Sequence, residues 1–151
     1  MVQMGEAEFL VDGETVDFGK SWTYKGLMCS GVPNLVQTWG YINASWTLRA
    51  DLVAEYFCRL VNHMDASGAR QAMPTLRPQD QNMTPRPWIE GFTSGYMQRA
   101  MPHFPNQGDH EPWLNPQNYR KDKKMFRTTS FDDGALVFSS PRQQKKSRPA
   151  A

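Results

Sequence analysis

The sequence predicts an α/β fold. Three observations lead there. Apolar residues from Leu48 to Met64 recur at three- and four-residue steps, the signature of a long amphipathic helix. A strand-like apolar segment, Asn34–Tyr41, comes shortly before them. The sharp turn Gly40–Trp46 joins the two. A strand feeding a helix through a tight turn sets the helix N-terminus at the strand's carboxyl end, where α/β proteins hold anionic ligands and cofactors. With 151 residues the chain is long enough for one domain with a modest core.

Taken in order, Ala7–Val11 and Thr15–Phe18 flank Asp12-Gly13, a pair typical of hairpin turns. Lys20–Ser30 is mixed, with Trp22, Tyr24, Leu27 and Met28 expected to be half-buried. Pro33 can open a strand, because its missing donor costs nothing there. Asn34–Tyr41 then reads as a buried strand. In the helix, Leu48, Leu52, Val53, Tyr56, Phe57, Leu60, Val61 and Met64 form the apolar stripe, and Arg49, Glu55, Arg59 and Asn62 fall outside it. Asn43 or Ser45 can cap the start and Gly68 the end. Such a helix spans about 30 Å at the standard rise per residue.

The character changes after Gly68. Eight of the eleven prolines lie between Pro74 and Pro116, so this segment cannot be regular throughout. Trp88, Phe92, Phe104 and Trp113 are its candidate buried anchors. Phe92–Met101 suggests a short helix, Asn115-Pro116 a helix start leading into Gln117–Phe126, and Ala135–Phe138 a short strand. Pro141–Ala151 is basic and polar and is expected to be disordered. The organisation predicted is therefore 1–68, an irregular wrapping segment 69–140, and a basic tail 141–151. No internal repeat is visible.

Hydrophobic residues make up 39% and charged residues 21%, with a net charge of only +2, too weak to imply nucleic acid. The charge is uneven: nine Lys or Arg face three Asp from Tyr119 onward, and eight acids face five bases up to Arg70. A basic end can touch an acidic surface, although a solvated terminus is the simpler reading. Two cysteines, Cys29 and Cys58, make no disulfide framework, and the expected compartment is the cytoplasm. The first residues carry Glu6 and Glu8 without an apolar run, so no secretory leader is expected. No apolar stretch approaches the roughly 20 residues of a membrane helix.

Most chemical motifs fail on spacing. Gly19-Lys20-Ser21 imitates the end of a phosphate loop, but Gly13 lies one residue too far upstream. His63, His103 and His110 have no paired helical spacing, so structural roles are expected and no metal site is predicted. Cys58 reads as an inert core thiol. No serine sits in a nucleophile elbow. The turn Gly40-Tyr-Ile-Asn-Ala-Ser-Trp46 differs. Gly40 allows close backbone approach, Tyr41 and Trp46 offer flat surfaces, and free N–H groups near Ala44–Thr47 point toward negative charge. On the residues alone, an ordinary turn packed by two aromatics explains it as simply.

A series of segments changes that balance. Asp12–Asp17, Thr23–Met28, Ser30–Leu35, Gly40–Leu52 and Cys58–Asp65 occur in order, followed by Phe92–Tyr96, Pro105–Gly108, Pro112-Trp113, Gln117–Tyr119 and Asp132–Leu136. The series is similar to the carboxyl-terminal part of bacterial FAD-containing monooxygenases of the Baeyer–Villiger and ethionamide-activating type. The resemblance implies a fragment completing a Rossmann-like FAD-binding domain, with FAD and NADPH as cofactors of the full-length enzyme. In that family reduced flavin takes up oxygen, and the peroxyflavin attacks a ketone or a sulfur. It also implies that Gly40, Asn43, Ala44, Ser45 and Trp46 line the flavin, with Tyr24 and Trp39 as more distant neighbours. A helix end there would stabilise the charge of a reduced flavin by about 0.3–2 kcal/mol. The family's glycine fingerprints, its F-x-G-x-x-x-H-x-x-x-W-P signature and its oxygenation-site arginine do not occur in these residues. No catalytic residue is therefore assigned, and the chain alone is expected to be inactive.

Two functions follow as expectations. The first is a portion of a monooxygenase, or one half of a split enzyme, partnered by the missing N-terminal part. The second is a non-enzymatic interaction module that docks through its apolar helix face, with the basic end steering.

Overall fold

A 22-residue helix, α1 (Trp46–Ser67), organises the structure. The computed structural model describes residues 7–91, 93–128 and 130–140. The helix ends where Gly68 adopts the left-handed conformation and returns its N–H to Asp65 and Met64. Among the described residues, three antiparallel strand pairs and two shorter helices surround α1, a mixed α/β arrangement. β1 (Leu10–Val11) pairs with β2 (Glu14–Thr15) across Asp12-Gly13, as the turn residues predict, although the arms are shorter. β3 (Thr23–Tyr24) pairs with β4 (Met28–Cys29). β5 (Gln71–Pro74) pairs with β6 (Leu136–Ser139), Ala72 opposite Phe138. β5 has no sequence signal, since Pro74 breaks the pattern; it is tolerated as the last residue of a strand in a two-stranded sheet.

Asn34–Tyr41 is not a strand. Asn34 sits at φ 58° and spends its polar groups on β5. Its N–H donates to the Ala72 carbonyl at 2.9 Å, and its Oδ1 accepts from the Ala72 N–H at 2.9 Å. Farther on, the Gln37 N–H reaches the Leu27 carbonyl at 2.7 Å. Beyond the Asn34 pair with Ala72, no ladder forms, and residues 34–41 belong to no described sheet.

The buried stripe of α1 is Arg49, Leu52, Val53, Tyr56 and Leu60. It is rotated from the predicted one: Leu48, Phe57 and Val61 are exposed, and the charged Arg49 is fully buried. Cys58 is exposed too, which corrects its reading as a core thiol. Opposite α1 lies α3 (Tyr119–Thr128). Met125 and Phe126 of α3 enter the core, with Tyr56 and Phe126 rings 5.7 Å apart. Arg59 donates to the Phe126 carbonyl. α3 begins at Tyr119 rather than Gln117, because Gln117 is left-handed at φ 50°. Tyr24, Leu27 and Met28 are fully buried rather than half-buried, and they join Trp113 in the same core. α2 (Gly95–Ala100) is shorter than predicted and runs into a 3-10 turn at Met101–His103. A smaller cluster packs Trp88, Ile89, Met97 and Phe104 against Trp39. Phe92 and the tail 141–151, expected to be disordered, lie outside the described residues.

Irregular backbone in the proline-rich segment is held by side chains. Asp80, completely buried, accepts from the Arg77 N–H (2.9 Å), Arg77 Nε (2.8 Å), Arg77 Nη2 (2.9 Å) and His110 Nε2 (2.8 Å). Arg77 Nη1 donates to the Asp133 carbonyl at 3.0 Å, which ties this hub to the residues before β6.

Candidate functional site: the turn before α1

The turn ahead of α1 gathers all the residues assigned to the flavin. Gly40 is buried, and its Cα lies against the Trp46 indole. A Cβ there would come within 2.1 Å of the ring, so only glycine allows this approach. Asn43, Ala44 and Ser45 are exposed, and Trp46 is 55% exposed. Ser45 occupies the N-cap position, but its side chain caps nothing. Its Oγ instead pairs with Thr47 Oγ1 at 2.8 Å. No acidic residue lies in the first turn. The positive end of α1 therefore faces outward with its first N–H groups uncapped by a side chain.

Beside the turn lies a continuous apolar surface. Trp46, Ala54, Phe57 and Val61 lie exposed along one side of α1, with half-buried Ala50 between them. Two open grooves, of about 370 and 360 Å³, share Leu35, Val36 and Thr38 and end on Trp46 and Phe57 respectively. Phe57 is 46% exposed. The sequence pattern did include Phe57 and Val61, but as core.

The more distant predicted neighbours divide. Trp39 is half-buried and borders the groove, its Nε1 donating to Gln37 Oε1 at 3.1 Å. Tyr24 is enclosed in the core. Its hydroxyl donates to Asp133 Oδ2 at 2.6 Å, and Lys25 Nζ lies 3.2 Å from the same oxygen. Burial drives the Tyr24 hydroxyl far above its ordinary pKa and pulls Lys25 below its own. Burial also works to raise Asp133, but the Tyr24 hydroxyl, backbone N–H groups and Lys25 outweigh it and hold the carboxyl below the usual range. This group is a core brace and opens on no groove described.

A further groove, about 560 Å³, lies elsewhere, between Arg86, Gln107, Lys121 and Lys124. It contains none of the turn residues assigned to the flavin. Among the described residues no cluster of His, Cys, Asp or Glu is arranged for a metal. His110 is held between Asp80 and Asp109, whose hydrogen bonds raise its pKa, and His63 packs its ring 4.7 Å from Phe138. No helix among the described residues is long and apolar enough to cross a membrane.

Known proteins match this chain over most of its length. It is 44% identical over 135 residues, 89% of the chain, to the FAD-containing monooxygenase EthA of Mycobacterium tuberculosis. It is 43% identical over 94% of its length to EthA of Mycolicibacterium smegmatis. It is 40% identical over 97% of its length to a protein named "Probable FAD-binding monooxygenase AlmA" in Acinetobacter baylyi. The chain is homologous to the carboxyl-terminal part of FAD-containing monooxygenases. It spans 27% to 29% of the length of these relatives. No protein-family model matches the chain, and no solved structure does.

For an FAD-containing monooxygenase, the turn offers what one electron-rich edge of a flavin requires. It combines uncapped N–H groups at a helix end, a glycine without steric bulk, and an exposed indole. It does not offer a pyrophosphate site, because no described strand leads through a glycine-rich turn into a helix.

Proposed function

We propose that this chain forms one wall of the flavin site in an FAD- and NADPH-dependent monooxygenase that oxygenates ketones or sulfur compounds. In this reading residues 1–68 complete the Rossmann-like FAD-binding domain, 69–140 wrap around it, and 141–151 are a basic tail. Gly40, Asn43, Ala44, Ser45 and Trp46 line the flavin. When bound, reduced FAD supplies the oxygen chemistry. This chain's residues orient its polar edge through the α1 N-terminus and exclude water with Trp46. The observation that carries the reading is the continuity of the uncapped turn with the exposed stripe Trp46–Val61, on a chain homologous to flavoenzymes. The nucleotide-binding part, whether on the same polypeptide or another, covers that stripe.

Equilibrium dialysis with FAD tests the proposal. The chain alone should retain no stoichiometric FAD. Adding the nucleotide-binding part of a relative that lacks the matching segment should restore retention. Tight FAD binding by the chain alone, or no gain on mixing, would overturn it. Association through the same stripe without any effect on flavin would favour the interaction module instead.

A further inference from the structure

Arg49 lies one turn into α1 and is completely buried. Its guanidinium reaches three separate segments. Nε lies 3.3 Å from Asp122 Oδ2 on α3, Nη2 donates to Asn115 Oδ1 at 2.9 Å, and Nη1 donates to the Trp39 carbonyl at 3.2 Å. Asn115 is fixed in turn, its Nδ2 donating to the Trp88 carbonyl at 2.9 Å and its N–H to Gln107 Oε1 at 3.0 Å. Gly26 leaves the room for this arrangement, since a Cβ there would lie 2.4 Å from Nη2. The Tyr41 ring stands 5.9 Å from the guanidinium carbon. The Tyr41 hydroxyl and Asp122 Oδ1 are both buried without a hydrogen-bond partner among the described residues.

The contact to Trp39 is the telling one, because that carbonyl is the last before Gly40 and the turn. A buried ion pair adds little net stability over a well-packed apolar pair of the same volume. What arginine adds here is direction: a rigid planar fork spreads its donors over three acceptors in fixed directions, whereas the compact ammonium of a lysine offers its donors from one point on a flexible stem. We infer that Arg49, anchored by Asp122 and Asn115, is a positioning residue that sets the conformation of the 39–46 turn and so the direction in which the first N–H groups of α1 point. The functional value of this device rests on the flavin reading above; its existence does not.

The test uses the full chain with its five tryptophans replaced by 5-fluorotryptophan, followed by fluorine NMR. Trp39 and Trp46 report on the turn, and Trp22, which takes none of the Arg49 hydrogen bonds, is the reference. Arg49→Lys should shift or broaden the Trp39 and Trp46 signals and leave Trp22 in place. Asp122→Asn should move the same signals less, because the bond to the Trp39 carbonyl survives. Glu55→Gln is the control: it weakens a different α1–α3 contact, Arg127 to Glu55, away from the turn. It should leave Trp39 and Trp46 unmoved. The inference is overturned if Arg49→Lys lowers only the melting temperature, if Glu55→Gln reproduces the shifts, or if all five signals collapse together in both Arg49→Lys and Asp122→Asn. Failure of the flavin reading would be seen separately, as a Trp46 signal that ignores FAD in the reconstituted complex while the variant shifts stand.

Discussion

Replacing Asp80 by alanine should cost about 3–5 kcal/mol of folding stability, the range for removing one partner of a buried ion pair. The carboxylate is fully buried and accepts four hydrogen bonds of 2.8–2.9 Å, three from Arg77 and one from His110. Its loss leaves the Arg77 guanidinium with only the carbonyls of Asp133 and Glu111. At about 2–4 °C per kcal/mol for a chain of this size, the melting temperature should fall by about 6–20 °C. Asp80→Asn keeps the shape but turns charge-assisted bonds into neutral ones, so about 1.5–3 kcal/mol should be lost. The pH dependence has two signs. Burial works to raise the Asp80 pKa, but the hydrogen bonds from Arg77 and His110 outweigh it and hold the carboxyl well below the usual range. Its contribution is therefore full above the ordinary carboxylate pKa and is lost as pH falls through the depressed value. The Asp80 and Asp109 carboxylates raise His110. Its contribution is full below the ordinary histidine pKa and is lost as pH rises through the raised one. Urea unfolding followed by circular dichroism from pH 3 to 9 reads the histidine limb and the onset of the carboxylate limb. A loss under about 1 kcal/mol in Asp80→Ala, or an unchanged pH profile in Asp80→Asn, would refute the reasoning.

Phe57→Glu alters an exposed position and should change the stability of the chain by no more than about 0.5 kcal/mol by urea unfolding. The same change should weaken docking to the nucleotide-binding part at least tenfold in a calorimetric titration. Gly40→Ala would push a methyl group into the Trp46 indole, so a red-shifted or altered Trp emission is expected at nearly unchanged helix content. In the native chain one thiol should react quickly with a chromogenic disulfide. Cys58 is exposed, whereas Cys29 is enclosed and burial pushes its thiol up to about 12.

The sequence made α1 visible because its period persists over 22 residues and Gly68 ends it. Asp12-Gly13 marked the first hairpin for an equally local reason, the positive φ both residues adopt. What remained hidden depends on long-range pairing. Arg49 is charged and reads as solvent-facing, since its partner Asp122 is 73 residues away. Asn34–Tyr41 has strand composition, but a strand needs a neighbour, and Asn34 binds β5 with its side chain instead. The rotation of the buried stripe follows from the same cause: once Arg49 is paired inside, Phe57 and Val61 turn out. For the candidate site, the helix start and Gly40 were legible. That Ser45 would pair its hydroxyl with that of Thr47 and leave α1 uncapped was not.

The most direct test of the central claim is a hydrogen-exchange footprint of this chain, free and mixed with the nucleotide-binding part of a related monooxygenase and FAD. The account predicts new protection confined to 35–39 and to the α1 side that carries Trp46, Phe57 and Val61, deepening at 42–48 when flavin is present. Protection on the basic side of α3, or none on α1, would contradict it.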